Sequence, residues 1–146
     1  MKLVILQVGK SKEKATLDIE AEFLKRLSPY VDLVTLTIKT SDRKTENEQL
    51  RAKLPADHTI VALDLTGKQM TSEAFAKFLE HQRDREGGKL CFVIGGPHGL
   101  TPDTLARADH VLSFSKMTFT HQMIRLFLLE QIYRGFTIIT KKPYHY

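Results

Sequence analysis

Apolar blocks alternate with amphipathic blocks along this chain, which predicts strands separated by helices. Apolar runs predict strands at Leu3–Val8, Val31–Ile38, Thr59–Leu65, Leu90–Ile94 and His110–Phe114. Apolar positions at helical spacing predict helices at Ala15–Leu27, Thr71–Arg85 and His121–Phe136, with another helix start at Thr101-Pro102-Asp103. Residues 41–54 are mostly polar, with Thr45 and Glu48 spaced as in a capping box, and predict at most a surface helix. This order predicts an α/β fold, in which helices cover both faces of a mainly parallel sheet. We expect one domain over residues 1–146, ending in a tail at 138–146.

The candidate chemistry lies in three segments that follow predicted strands: Asp64–Lys68, Gly95–Gly99 and Phe114–Phe119. Because ligands of open parallel sheets bind outside the carboxyl ends of the strands, we expect these segments to share one site. The glycine-rich segment matches neither the dinucleotide fingerprint nor the phosphate-binding P-loop. Its alternative interpretation is a tight strand-to-helix turn that binds nothing.

The third segment combines Phe114, Met117 and Phe119 with two hydroxyls and the cation of Lys116. Such a mixture suits an aromatic ring whose edge hydrogen-bonds to the protein backbone. The alternative interpretation is that Phe114 and Met117 are ordinary core residues.

The last predicted helix is apolar around most of its circumference at residues 126–129. A helix of this kind is buried on more than one face, which a two-fold subunit interface would achieve. His121 begins this helix, where the helix dipole disfavours a protonated imidazole. Arg125 follows one turn later on the same face.

Composition narrows the class of protein further. The 146 residues are 42% apolar and 27% charged, with one cysteine, so a packed core is expected and a disulfide within the chain is impossible. No stretch approaches the roughly 20 apolar residues of a membrane span, and we expect a soluble cytoplasmic protein. The net charge of +5 favours a polyanionic partner. The six histidines and Cys91 show no ligand spacing, so no metal site is expected.

Several motifs together resemble the RlmH family over essentially the whole chain. They are Lys2-Leu3, Leu63-Asp64-x-x-Gly67-Lys68, Ile94-Gly95-Gly96-Pro97-x-Gly99-Leu100, Leu112-Ser113-x-Ser115-x-Met117-Thr118-Phe119-x-His121-Gln122-Met123-x-Arg125, Glu130-Gln131-x-Tyr133-Arg134 and Pro143-Tyr144-His145. The resemblance implies a SPOUT-class methyltransferase with a trefoil-knotted carboxyl-terminal half, which works as a homodimer and uses S-adenosylmethionine. It further implies methylation of N3 of a pseudouridine in helix 69 of 23S rRNA, on the assembled ribosome.

The cofactor contacts implied by this resemblance fall in the same three segments. We add Gly96, because a residue without a side chain would let the backbone approach the adenosyl group. The expected cofactor-binding residues are then Leu63, Gly95, Gly96, Phe114, Ser115, Lys116, Met117, Thr118 and Phe119. His98 and Thr120 depart from the family pattern, and His98 is assigned no catalytic role.

Methylation of an imide nitrogen needs a proton acceptor or a cation that stabilises the deprotonated base. We expect Arg125 as the cation, His121 and His145 as titratable groups, and Tyr144 beside them on the RNA-facing side of the pocket. The alternative is that His121 is a structural residue of the helix end, and Tyr144 and His145 a packed terminus. Expected phosphate contacts are Lys10, Lys12, Lys14, Arg134, Lys141 and Lys142.

Two other functions remain open at this point. A non-catalytic module that binds RNA or the ribosome would explain the charge, but not the glycine turn together with segment 114–119. A SPOUT methyltransferase with another RNA target would share the cofactor segments, but not the Tyr144-His145 tail.

Overall fold

The computed structural model describes residues 1–145, and the strands in this part of the chain form a single five-stranded sheet. They are β1 (Lys2–Val8), β2 (Asp32–Ile38), β3 (Thr59–Lys68), β4 (Lys89–Ile94) and β5 (His110–Leu112). The strand order is β2-β1-β4-β3-β5, and all neighbouring strands are parallel. The predicted α/β class is therefore confirmed, although β3 extends to Lys68 and β5 already ends at Leu112.

The helices cover both faces of the sheet, as predicted. They are α1 (Lys14–Leu27), α2 (Arg43–Lys53), α3 (Ser72–Arg85), α4 (Pro102–Leu105) and α5 (His121–Ile139). The side chains of Thr71, Thr101 and Thr120 each accept a hydrogen bond from a backbone N–H of the first turn, which explains where α3, α4 and α5 begin. Within residues 1–145, no helix has the length and apolarity to cross a bilayer.

The end of α5 differs from the prediction. The helix continues to Ile139, so the expected tail begins at Thr140, and Tyr146 lies outside the described residues. The trefoil knot implied by the family resemblance stays a prediction.

The larger core lies between the sheet and the layer formed by α1, α3 and α5. Its most buried residues include Leu3, Phe92, Leu128, Ile132 and Phe136. Because α5 lies between α1 and α3 on the sheet, Leu128 and Leu129 are buried within one chain, whereas Leu126 and Phe127 are only half-buried. The subunit interface inferred from the apolarity of this helix stays a prediction.

Helix α2 covers the other face of the sheet and is more than a surface helix. Leu50 is fully buried in the smaller core, and the polar residues Glu46 and Asn47 are buried beside it. The N-cap is Asp42, which accepts from the Thr45 N–H, so the capping box proposed at Thr45 is wrong. The surface prediction failed because buried polar residues that have hydrogen-bond partners look the same in sequence as solvated ones.

A bulge in β3 brings β5 close to the site. Leu63 and Lys68 both pair with Leu112, so residues 64–67 leave the ladder between them. A Cβ atom at Gly67 would lie 2.6–2.7 Å from backbone atoms of Leu112 and Val111. The missing side chain of Gly67 therefore lets β5 approach, and β5 leads directly into segment 113–119.

We predict that Gly67→Ala lowers the free energy of unfolding by about 1–3 kcal/mol, because backbone cannot yield as a side chain does. The matched control is Gly135→Ala, whose Cβ would lie 2.7 Å from the side-chain Leu79 Cδ1 atom and 3.6 Å, an ordinary contact, from the backbone Ala76 Cα atom. In that variant a gain in helix propensity of about 1 kcal/mol offsets the crowding. Urea unfolding of the two variants measures both effects. Equal stabilities of Gly67→Ala and the unmodified chain would refute the role of Gly67.

Candidate functional site

A pocket of about 650 Å³ opens at the carboxyl ends of β3, β4 and β5. The expected convergence of the three segments is confirmed, because residues from each line this pocket. The expected cofactor residues in its lining are Leu63, Gly95, Gly96, Phe114, Ser115, Met117, Thr118 and Phe119. Lys116 does not line the pocket, although Ser115 and Met117 on either side of it do.

The glycines of the turn are required by packing against the protein. A Cβ atom at Gly95 would lie 3.0 Å from the Leu100 Cδ2 atom. One at Gly96 would lie 2.9 Å from both Glu46 Oε1 and Val8 Cγ1. Glycine at these two positions thus lets the turn pack closely against Leu100, Val8 and Glu46. The two glycines therefore do not by themselves indicate a ligand. Gly99 differs, because its φ of +78° is the left-handed conformation that favours glycine.

Two serine hydroxyls shape the segment after β5. Ser113 Oγ donates to the Ser115 carbonyl at 2.8 Å, and Ser115 Oγ accepts from the Met117 N–H at 3.0 Å. The core interpretation is correct for Phe114, which packs against the larger core, and wrong for Met117, which is 72% exposed. The segment is therefore a folded apolar lip over the pocket, in which Ser113 donates its hydroxyl and Ser115 accepts through its oxygen.

His121 lies in the pocket wall at the first position of α5. Burial lowers the pKa of its imidazole, the charge of Arg125 lowers it further, and Glu46 opposes them. An imidazole with a lowered pKa is neutral at pH 7 and can accept a proton. The structure thus places in the pocket wall an imidazole whose neutral form is favoured by burial and by the charge of Arg125.

Arg125 points into the protein, away from this pocket. It is 3% exposed, and it donates to the Gly9 carbonyl and to Ser11 Oγ, each at 2.7 Å. Glu20 Oε1 lies 3.5 Å from its Nη1 atom. Arg125 therefore joins the segment after β1 and helix α1 to α5, and within one chain it does not face RNA as expected.

The tail residues pack elsewhere. Tyr144 donates to Glu130 Oε1 at 3.1 Å, and His145 lies between Arg134 at 3.1 Å and Glu73 at 2.8 Å. Glu130 and Arg134 line a second cavity of about 600 Å³, which shares Phe114, Ser115 and Phe119 with the first. The expected grouping of Arg125, His121 and the tail around one pocket is therefore absent from residues 1–145 of a single chain.

Some functional residues escaped the sequence analysis. Ser113 shapes the lip, while Glu46 and Asn47 contact the glycine turn from α2. The Ser113 position belongs to the motif that carries the family resemblance, so a signal existed there. Glu46 and Asn47 lie in a polar run without any recognisable motif, and nothing in the sequence distinguishes them from solvated neighbours.

Comparisons with known proteins agree with this architecture. A family described as predicted SPOUT methyltransferases matches residues 1–145. The chain is 42% identical to ribosomal RNA large subunit methyltransferase H of Carboxydothermus hydrogenoformans over 158 aligned positions, covering 99% of each chain. It is 43% identical to the protein of the same name from Desulfotalea psychrophila over 152 positions, again covering 99% of each.

Solved structures share the fold at low sequence identity. A probable methyltransferase from Bordetella pertussis Tohama I has a TM-score of 0.56 and 12% identity, with 91% of this chain and 95% of that chain covered. TrmJ from Z. mobilis has a TM-score of 0.50 and 14% identity, with 92% and 70% covered. At these identities the likeness concerns the fold alone.

We predict that the pKa of His121 lies below its ordinary value of about 6.5, because the pocket wall desolvates the imidazole. The unfolded chain then binds more protons, so the contribution of His121 to stability is present above pH 6.5 and lost as pH falls through the folded pKa. An NMR titration of the imidazole signals measures it, with the His121 signal assigned by its loss in His121→Gln. A midpoint at or above 6.5 would contradict the assignment of a neutral base.

Proposed function

Because this chain belongs to the SPOUT methyltransferase family, we propose that it methylates N3 of a pseudouridine in helix 69 of 23S rRNA, with S-adenosylmethionine as the methyl donor. The observation that carries the proposal is the single pocket built by the segments after β3, β4 and β5. The names of relatives that match 99% of the chain support rRNA of the large subunit as the substrate. We further propose that the enzyme acts in the cytoplasm on the assembled ribosome.

The residues of the pocket fit an adenosyl group. Its volume of about 650 Å³ lies in the range of small-molecule sites. Phe114, Met117 and Phe119 supply apolar surface for a purine ring, while the Ser113 hydroxyl donates inside the lip. We propose that specific polar contacts to the adenine edge come from the backbone of these segments. We propose every expected cofactor residue in this role except Lys116.

S-adenosylmethionine, when bound, supplies an electrophilic methyl group and keeps the electron pair of the broken C–S bond as a neutral thioether. The pseudouridine N3 forms the new N–C bond and gives up its proton. We propose that the neutral imidazole of His121 accepts this proton, since His121 lines the pocket and its pKa is lowered. The walls of the pocket align the reacting atoms and exclude water.

Arg125 has a different proposed role from the one expected. We infer that it is a positioning residue, because its side chain holds Gly9 and Ser11 while its charge helps to keep His121 neutral. Tyr144 and His145 lie beside the second cavity, so we propose that they contact RNA away from the reacting atoms of their own chain.

The test of function combines cofactor binding with methyl transfer. S-adenosylhomocysteine at a hundred times its Kd should stabilise the chain by about 2.7 kcal/mol in thermal unfolding. His121→Gln should slow methyl transfer to ribosomes about 10²–10⁴-fold while it keeps this stabilisation, because glutamine still occupies the pocket wall but cannot accept the proton. Tyr144→Phe keeps the ring but loses the bond to Glu130, and serves as the milder comparison.

Two outcomes would count against this function. If millimolar S-adenosylhomocysteine leaves unfolding unchanged, a non-catalytic RNA-binding module is the better interpretation. If naked rRNA is methylated at other positions and ribosomes are not, the chain is a SPOUT enzyme with another target.

We also propose a homodimer, now with α1 at its interface. In α1 only Leu27 is buried, while Leu17, Ile19 and Leu24 are 43%, 47% and 39% exposed. Met123 of the adjacent α5 is exposed as well. A second copy that covers these side chains would bury them and bring two exposed clusters of Lys10, Lys12 and Lys14 to one assembly.

We predict that Leu17→Glu together with Leu24→Glu converts the dimer to a monomer, because each charge would have to be desolvated in the interface. Light scattering after size exclusion gives the mass directly. The control is Val34→Glu, which changes a similarly exposed apolar residue on the edge strand β2. A dimer that survives the double substitution would exclude α1 from the interface.

A further inference from the structure

Helix α2 holds the segment that follows β4 through hydrogen bonds from one row of polar side chains. Arg43, Asn47 and Arg51 are spaced four residues apart and therefore lie along one face of the helix. Arg43 Nη2 donates to the Leu100 carbonyl at 2.9 Å. Arg51 Nη1 donates to Thr104 Oγ1 at 2.8 Å and to Thr101 Oγ1 at 3.3 Å. The row thus runs from the end of the glycine turn to α4.

Asn47 is the centre of this row. Its Nδ2 atom donates to the Gly99 carbonyl at 3.1 Å and to the Arg43 carbonyl at 2.9 Å. Its Oδ1 atom accepts from the Thr101 N–H at 2.9 Å. With 1% exposure, Asn47 is shielded from water that could replace these bonds. One amide therefore connects the last residue of the turn, the N-cap of α4 and the backbone of α2.

Glu46, also on α2, packs against the same turn at Gly96. It is fully buried, and its Oε2 atom accepts from the Ser41 N–H at 2.9 Å. Among the described residues no donor reaches Oε1, the atom that lies 2.9 Å from the position of a Cβ on Gly96. The turn is therefore confined at Gly96 by contact and at Gly99 by a hydrogen bond, on the side opposite the pocket.

We propose that Asn47 is a positioning residue for the cofactor, which sets the affinity for S-adenosylmethionine by holding the glycine turn in its binding conformation. Asn47 does not line the pocket, whereas Gly95 through Leu100 all do. It acts through the Gly99 carbonyl and the Thr101 N–H, so the turn does not need to be ordered when the ligand arrives. This inference rests on the proposed function of the pocket.

The chemistry of the amide makes the role testable. Asn47→Asp keeps the oxygen that accepts from Thr101, but it replaces the donor with a second acceptor opposite the carbonyls of Gly99 and Arg43. The substitution preserves shape, breaks the bond to the turn and the bond to α2, and places a carboxylate in a buried position. Gln49→Glu is the matched control, because it makes the same amide-to-acid change at an exposed position of the same helix.

Calorimetric titration with S-adenosylhomocysteine measures the effect. We expect Asn47→Asp to raise Kd at least tenfold and Gln49→Glu to stay within twofold of the unmodified chain. In steady-state kinetics KM for S-adenosylmethionine should rise in the same proportion, while KM for ribosomes and kcat at saturating donor change little. A purely structural role would not separate these constants.

Arg51→Lys distinguishes positioning from a general loss of stability. It removes the forked contact to Thr101 and Thr104, yet leaves the bond of Asn47 to Gly99 in place. Titrations are done at a temperature at which circular dichroism shows every variant folded. If Arg51→Lys loses as much affinity as Asn47→Asp at equal loss of melting temperature, positioning by Asn47 is wrong.

The remaining outcomes separate this inference from the proposed function. An unmodified chain that does not bind S-adenosylhomocysteine overturns the function, and the inference with it. An unmodified chain that binds it, with an Asn47→Asp variant that binds equally well, overturns the inference alone.

Discussion

The carboxyl ends of parallel strands lie at the same edge of a sheet, and the site that we assign to this protein depends on this constraint. In the sheet order β2-β1-β4-β3-β5, the neighbours β4, β3 and β5 release their following segments at one edge. None of these segments is a binding site alone, since each has an interpretation as an ordinary turn or core segment. Their meeting around one pocket brings apolar side chains and free backbone together in the surface that we propose binds an adenosyl group.

Buried polar side chains keep these segments in place from outside the pocket. Arg125 holds the segment after β1 through Gly9 and Ser11, and α2 holds the segment after β4. A polar group buried beside its partners is costly to displace, because water cannot replace the lost bonds. The segments around the pocket are thus held in position by Arg125 and Asn47, which do not line the pocket themselves.

The position of His121 follows from the same arrangement. The side chain of Thr120 starts α5 at the pocket wall, and the N-terminal end of a helix disfavours a charged imidazole. Desolvation in the pocket and the like charge of Arg125 lower the pKa of His121 in the same direction, and the charge of Glu46 opposes them. The helix start, which was readable in the sequence, therefore places an imidazole with a lowered pKa in the pocket wall, where we propose that it accepts the imide proton.

Hydrophobic periodicity determined the strands, the larger helices and the α/β class, because burial on one or two faces leaves a pattern in the chain. The glycine turn and segment 114–119 could also be identified from their unusual composition. Only the tertiary structure decided that Arg125 and Asn47 point inward, that Lys116 lies outside the pocket, and that the tail packs against Glu130 and Arg134. The sequence does not show whether water or a carbonyl far along the chain accepts the hydrogen bond of a polar side chain. Here the accepting carbonyl lies 52 residues from Asn47, at Gly99, and 116 residues from Arg125, at Gly9.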